Sequence, residues 1–584
     1  MRKYLPLLGW LPNYKKSDFP KDLVAGLTVG IIMVPQGMAY AMIAGLPPVY
    51  GLYAALLPVL IYAVLGTSRQ VAMGPVAMDS LLVAAGLGAL SITGVENYVA
   101  MALVLGFTVG AIQLVLGLFR MGFLVNFLSK PVISGFTSGA AIIIIFSQLK
   151  HLLGADIEKS NQFHQLVINV FQQLGASNPY DLAIGLSGIG IMLLFKKLDD
   201  RIPSILIVVV LGILSVYFFG LQGFGVEIVG AVPMGMPRFQ VPDINLENAL
   251  GIWPIALTLA LVGYLETISI GKAMEERNGS DHIDSNQELI ALGTSNIVGS
   301  FFQSYISTAS FSRSAINQEA GARTNLSAII SVLLVVLTLL FLTPLFYYLP
   351  NAVLASIIMV SVFGLINISY PKSLWKYRKD EFIVLLVTFL ATLFIGIKEG
   401  MLIGVLASLL LMVYRTSKPH FAILGNIKNS TYYKNAQRFD QEVILRDDLL
   451  IVRFDAQLYF GNSDYFKNQL MQYINAKGPA LKGVILNAEA INYIDSTGAR
   501  TLERVIANVQ QKGLQFLMAG AIGPTRDIMY SSGIIESLKK EHLFVKTEEA
   551  VAYFDNPNSV SELQDRVAHQ YQLQAGKATK SEND

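Results

Sequence analysis

Gly74-Pro75-Val76-Ala77 and Ser310-Phe311-Ser312-Arg313-Ser314 each interrupt a long apolar run, and the reading of the fold turns on them. In lipid, a broken helix frees backbone N–H and C=O groups that only protein or a water-lined cavity can satisfy. Two breaks, one in each half of the membrane region, therefore predict a binding site within the membrane, the arrangement of a transporter.

Composition agrees with a membrane protein. The 584 residues are 53% apolar and only 14% charged, with a mean hydropathy of +0.52, outside the range of soluble globular chains. There is no cysteine, and the six histidines form no i, i+4 pair. Neither a metal site nor a cofactor is expected, leaving a coupling ion, H+ or Na+, as the only small partner besides substrate. A net charge of +2, with the basic residues in short clusters between apolar runs, gives no reason to expect nucleic acid. Nucleophile–base pairs and phosphate-binding loops are missing as well, so an enzyme is not expected.

Charged residues are sparse from about Asp22 to Arg415 and frequent afterwards. This predicts a cytoplasmic, interfacial segment over 1–21, a membrane domain over 22–418, a second domain over 440–556 and a polar, disordered tail over 557–584. Met1–Lys21 lacks the short apolar stretch and small-residue cleavage site of a signal peptide. Apolar runs of about 15–24 residues suit a hydrocarbon core of about 30 Å, and about fourteen are present if short and broken ones are included. Lys15-Lys16-Lys21, Arg69, Arg120, Lys130, Lys196-Lys197-Arg201, Lys272, Arg277, Lys372-Lys376-Arg378-Lys379 and Arg415-Lys418 fall on one side, with fewer near Lys159, Arg238 and Lys398. The basic side is the cytoplasmic one, which places both termini there in a multi-pass inner or plasma membrane protein.

Gln36 precedes Glu266 by about 230 residues and Gly74 precedes Ser310 by about 236. Similar offsets predict two repeats of seven segments, the second inverted because seven is odd. After residue 440 the pattern changes. Leu449–Phe454, Gly483–Asn487 and Leu514–Met518 read as strands between helical stretches near 462–476, 498–512 and 524–533, an α/β domain.

Pro35-Gln36-Gly37-Met38-Ala39-Tyr40-Ala41, Gly45-Leu46-Pro47-Pro48-Val49-Tyr50-Gly51-Leu52-Tyr53, Gly66-Thr67-Ser68-Arg69-Gln70 and Gly74-Pro75-Val76-Ala77 together resemble the sulfate permease (SulP) family, also called solute carrier family 26. The region of Asp495-Ser496-Thr497-Gly498 is similar to the STAS domain that such transporters carry. The resemblance spans about Lys21 to Phe554. It implies a fourteen-segment inverted repeat split into core and gate domains, a homodimer, and movement of the core against the gate. A partner for the STAS domain in the cytoplasm is also open.

Pro75 suits the first turn of a helix, because its missing N–H would be unpaired there anyway. A helix beginning inside the membrane turns free N–H groups and a positive dipole end toward the cavity, which favours an anion. Ser310, Ser312 and Ser314 supply hydroxyls at the other break, and Arg313 adds a fixed positive charge. By resemblance, Gln36, Tyr40, Val76, Phe311 and Ser312 line this site, with Pro75, Ala77, Ser310 and Arg313 beside them. Plain capping and packing would account for the same residue types.

Glu266 lies about 13 residues from Trp253, roughly 20 Å along a helix, and so is deep in the bilayer. It is the expected coupling group, able to carry a proton or face a cation, with a fixed salt bridge to Arg313 as the other reading. Asp79 is a second coupling candidate or a structural hydrogen-bond acceptor. Ser496 matches a phosphorylated serine by resemblance and a helix N-cap by position.

At about 100 mV, importing a sulfate dianion costs about 4.6 kcal/mol, which one proton offsets only by half. Sulfate uptake coupled to protons is the first expectation. Bicarbonate or C4-dicarboxylate symport, driven by protons or sodium, and anion exchange remain open, as do an anion channel and a nucleobase symporter.

Overall fold

A computed structural model describes residues 5–557 except 89, 91, 124–128, 159, 161, 199–202, 244–245, 279–282 and 440–441. The expected tail, Lys159 and Arg201 therefore lie outside the described residues. The chain divides into two compact units, residues 1–408 and 409–584.

The first unit is helical. After a turn at α1 (Leu7–Trp10) come α2 (Phe19–Ile43), α3 (Val49–Tyr53) and α4 (Leu57–Leu65). The first break holds the two-residue strand β1 (Met73–Gly74) before α5 (Ala77–Gly88). Then follow α6 (Val95–Leu118), α7 (Lys130–Leu153), α8 (Phe163–Gln173), α9 (Pro179–Leu198), α10 (Ser204–Phe219), α11 (Leu246–Asn278) and α12 (Ser285–Ser300). The second break repeats the device: β2 (Thr308–Ala309) precedes α13 (Phe311–Glu319). The remainder is α14 (Leu326–Leu337), α15 (Asn351–Phe363), α16 (Ser369–Tyr377) and α17 (Lys379–Phe394), and α18 (Ile397–Ser417) spans the division between residues 408 and 409.

Among the described residues, six helical stretches are long and apolar enough to cross a membrane alone: 19–43, 95–118, 130–153, 251–275, 326–346 and 399–417. Five shorter apolar stretches accompany them. Small residues set the closest approaches. A Cβ on Gly51 would lie 1.9 Å from the Gly37 carbonyl oxygen, so α2 and α3 meet backbone to backbone. Where α6 meets α12, a Cβ on Gly293 would lie 2.4 Å from the Leu114 amide nitrogen.

Buried carboxylates tie loops to helices in this unit. Asp22 accepts from the Arg323 amide (2.6 Å), the Thr324 amide (3.0 Å) and the Thr324 hydroxyl (2.7 Å), joining the start of α2 to the turn before α14. Glu288, on α12, accepts from Tyr62 (2.8 Å) and from the amide and hydroxyl of Thr67. Such acids are tolerated away from water because hydrogen-bond donors surround them.

The second unit is a mixed sheet of β3 (Phe421–Ile427), β4 (Tyr433–Asn435), β5 (Val443–Ile444), β6 (Leu449–Phe454), β7 (Gly483–Asn487), β8 (Gln515–Ala519) and β9 (Leu543–Phe544). Its order is β4-β3-β6-β7-β8-β9, with β5 also on β3. Strands β6 to β9 run parallel and β3 is antiparallel to β6. The crossovers include α19 (Ser463–Lys477), α20 (Ser496–Gln511), α21 (Gly523–Ser531) and α22 (Ile534–Leu538), and α23 (Thr547–Asp555) is the last described helix. Phe454, Phe466, Leu502, Val505 and Met518 form a core on one face, with Ile485, Leu517 and Ala550 on the other. The sheet takes in β3 and β4, both before residue 440.

Candidate functional site

The two breaks meet. Strands β1 and β2 pair antiparallel, Met73 opposite Ala309 and Gly74 opposite Thr308. Because the pair is antiparallel, α5 and α13 leave it in opposite directions from a common starting region. Gly74 has φ +142, in the range glycine tolerates, and a Cβ there would lie 3.2 Å from the Arg313 guanidinium. Further bonds stitch the breaks together: the Ser310 amide donates to Ala72 O (3.0 Å) and the Ala72 amide to Ser314 Oγ (2.9 Å). Asn317 Nδ2 donates to Gln70 O (3.0 Å).

Arg313 is fully buried, at 0% exposure. Its Nη2 donates to Pro75 O (2.9 Å) and its Nη1 to Gln36 Oε1 (3.4 Å), while Nε has no hydrogen-bond partner. The Glu266–Arg313 salt bridge considered above is not formed. Pro75 also departs from expectation: α5 begins at Ala77, with the Ser80 amide on Val76 O (3.0 Å), so Pro75 stands before the helix. Its carbonyl, unused by a helix, is free to accept from Arg313.

Ser310 is the N-cap of α13 and accepts from the Arg313 amide at 3.5 Å. Phe311 and Ser312 follow as exposed side chains, and Val76 is half-buried. Gln36 and Tyr40 are buried, 2% and 4% exposed, on the α2 face toward this region. Gln36, Pro75 and Arg313 are thus directly linked, with Tyr40 one turn from Gln36 and Val76, Ala77, Ser310, Phe311 and Ser312 at the two helix starts.

Asp79, in the first turn of α5, accepts a short bond from the Thr308 hydroxyl through Oδ2, while Oδ1 has no partner. The Thr308 methyl faces Gly263 of α11, where an added Cβ would lie 2.6 Å away. Gly263 precedes Glu266 by three residues, close to one helical turn, so Thr308 stands between the two acids. Thr267, beside Glu266, accepts from the Ala309 amide at 3.3 Å. Glu266 Oε2 is enclosed and has no hydrogen-bond partner.

A buried amide relay behind β2 escaped the sequence reading. The Ser307 amide donates to Asn296 Oδ1 (2.8 Å), Asn296 Nδ2 to Gln113 Oε1 (3.2 Å) and Gln113 Nε2 to Ala260 O (3.2 Å). Isolated Gln and Asn in apolar helices were the available signal. In the second unit, Asp495 is the N-cap of α20, accepting from the Gly498 amide (2.7 Å) and the Phe460 amide (2.9 Å). Ser496 is therefore the first helical residue, exposed, and does not itself cap.

The model of the sulfate permease family matches residues 19–388, and that of the STAS domain matches 440–550. Sulfate transporter 4.1, chloroplastic, of Arabidopsis thaliana is 35% identical over 567 residues, covering 94% of this chain and 82% of that protein. High affinity sulfate transporter 2 of Stylosanthes hamata is 33% identical, covering 94% and 86%. The murine Solute Carrier 26 family member A9 anion transporter, solved in an inward-facing state, has a TM-score of 0.87 at 28% identity and covers 94% of both chains. The transmembrane domain of a cyanobacterium bicarbonate transporter, BicA, has a TM-score of 0.58 at 23% identity, covers 68% of this chain and 98% of that one, and shares the fold alone.

Proposed function

The chain belongs to the sulfate permease family and carries a STAS domain, and on that premise we propose that it is a secondary active transporter of inorganic anions, with sulfate its first substrate. Members of this family are transporters, and the chain is a multi-pass membrane transporter rather than an enzyme. The observation that carries the proposal is Arg313: a fully buried cation, held at the crossing of two broken segments, with its Nε–H unused. A permanent charge inside a membrane is expensive, and a site built to hold it marks a substrate path. Between the starts of α5 and α13 the anion gains two sets of N–H groups and two positive dipole ends as well.

Coupling follows from charge. With Asp79 and Glu266 both ionised, the three charged side chains here sum to one negative charge, which disfavours an anion. A cation on the Glu266 side removes that penalty, so anion and coupling ion bind best together. We assign the proton to this role first and sodium second.

Packing supports a seven-plus-seven inverted repeat. α2 packs on α14 as α11 packs on α6, and α17 packs on α7 as α9 packs on α15. Exchanging α2 with α11, α6 with α14, α7 with α15 and α9 with α17 maps each contact onto its partner, and β1–β2 maps onto itself. α2–α6 and α11–α14 form the core and α7, α9, α10, α15 and α17 the gate, so alternating access is elevator-like travel of the core carrying both breaks. Homodimerisation, cytoplasmic termini and a STAS partner or modification at Ser496 complete the proposal.

The test is uptake of labelled sulfate, bicarbonate and fumarate into proteoliposomes under imposed proton or sodium gradients, with Glu266→Gln in parallel. Gradient-driven sulfate accumulation, lost in Glu266→Gln while sulfate binding partly survives, is the expected result. Accumulation unchanged in Glu266→Gln removes that residue from coupling, and fumarate or bicarbonate outpacing sulfate overturns the substrate.

A further inference from the structure

The stretch from Phe363 to Lys379 carries Lys372, Lys376, Arg378 and Lys379 and no acidic residue. Within it α16 turns Leu374 inward, 1% exposed, and packs on α17. The rest of its surface is unusual for a segment in contact with water: Ile368, Trp375 and Tyr377 are 71%, 57% and 63% exposed. Lys372 and Lys376, one turn apart, are exposed as well, as are Arg378 and Lys379. Two ammonium groups lie over aromatic rings, Lys379 Nζ 5.5 Å from Trp375 and Lys130 Nζ 5.0 Å from Tyr370. Trp375 is held edge-on against Phe382 at 5.0 Å. The acids that follow, Asp380 and Glu381, are partly buried at the start of α17.

Exposed Trp, Tyr and Ile beside exposed Lys and Arg fit the boundary between acyl chains and headgroups. Rings and aliphatic stems enter the apolar layer there, while the ammonium and guanidinium groups remain at phosphate level. We propose that α16 is an interfacial helix that gathers anionic phospholipid headgroups, with Lys372, Lys376, Arg378 and Lys379 as the binding charges. A neutral bilayer would cover the apolar side chains but leave four like charges without counter-charge. α16 joins α15 to α17, so headgroup binding holds that pair at a fixed depth.

The chain has no cysteine, so Ser369→Cys gives a single labelling position in the full-length protein. A fluorophore there is read in phosphatidylcholine vesicles doped with brominated phosphatidylglycerol or, at equal mole fraction, brominated phosphatidylcholine. The proposal expects the anionic lipid to quench several-fold more strongly. Each basic side chain near an anionic surface contributes roughly fivefold in affinity, so Lys372→Gln with Lys376→Gln should weaken headgroup binding about 25-fold and bring quenching by the two lipids close to equal. Equal quenching by the two lipids without those substitutions, or an undiminished preference in the double variant, overturns the proposal. Loss of the preference in excess soluble glycerol phosphate also overturns it, in favour of a free-phosphate site. Quenching by brominated phosphatidylcholine in the double variant checks that α16 still reaches the membrane.

Discussion

A single methyl group at Gly51 should disable transport. The added Cβ would stand 1.9 Å from Gly37 O and 2.4 Å from Gly37 C. A relaxed C···O contact needs about 3.3 Å, so α3 must retreat from α2 by about 1.4 Å. Overpacking on this scale costs about 1–3 kcal/mol. The damage is local to the site, because Gly37 follows Gln36 and faces the Pro75 ring, 3.6 Å from where its own Cβ would stand. Displacing groups that position a substrate by about 1 Å can cost about 100-fold in rate. Sulfate uptake by Gly51→Ala proteoliposomes should therefore fall at least about tenfold, with a melting temperature lower by several degrees. Gly190→Ala is the control, since a Cβ on that helical glycine of α9 meets nothing within 4 Å and alanine is the better helix former. Wild-type uptake and melting in Gly51→Ala would refute the reasoning.

Three further outcomes are expected. Asp22→Ala strands the Arg323 and Thr324 amides and should lower stability by about 1–3 kcal/mol, read as a melting shift, while Asp22→Asn should lose less. Asn296→Leu leaves the Ser307 amide and Gln113 Oε1 without partners, so both stability and sulfate affinity should fall; loss of stability alone would separate the relay from the site. In the second unit the Arg446 guanidinium holds the Asp448 carboxyl below its ordinary range, at 2.8 Å. A lowered native value contributes stability above the unfolded carboxylate range and loses it as pH falls through the native value. Arg446→Gln should therefore cost roughly 1 kcal/mol at neutral pH, less at high salt, with the difference from wild type shrinking in acid.

What the chain reveals before folding depends on how local the cause is. Apolar runs, the Gly-Pro and Ser-Arg-Ser breaks and the alternation of strands and helices after residue 440 are local, and each appears as an element. The pairing of Met73–Gly74 with Thr308–Ala309 is not local: two residues per strand, 235 positions apart, carry no periodic signal. Pro75 suggested a helix start because proline fits the first turn, yet Arg313 takes its carbonyl and the helix begins later. The opposite charges of Glu266 and Arg313 suggested a salt bridge, whereas polar groups of the α2 side and the first break receive the guanidinium. Asp22, Glu288 and the Gln113–Asn296 relay stayed hidden because their donors are backbone amides and distant side chains.

The central claim is that one anion site lies between the two breaks and that Arg313 supplies its charge. Equilibrium sulfate binding to purified Arg313→Gln, alongside wild type and Arg313→Lys, tests it most directly. Hydrogen bonds to charged groups contribute about 1.5–3 kcal/mol, so Arg313→Gln should bind sulfate about 10- to 150-fold more weakly, with Arg313→Lys recovering part of the loss. Sulfate affinity equal to wild type in Arg313→Gln would contradict the account.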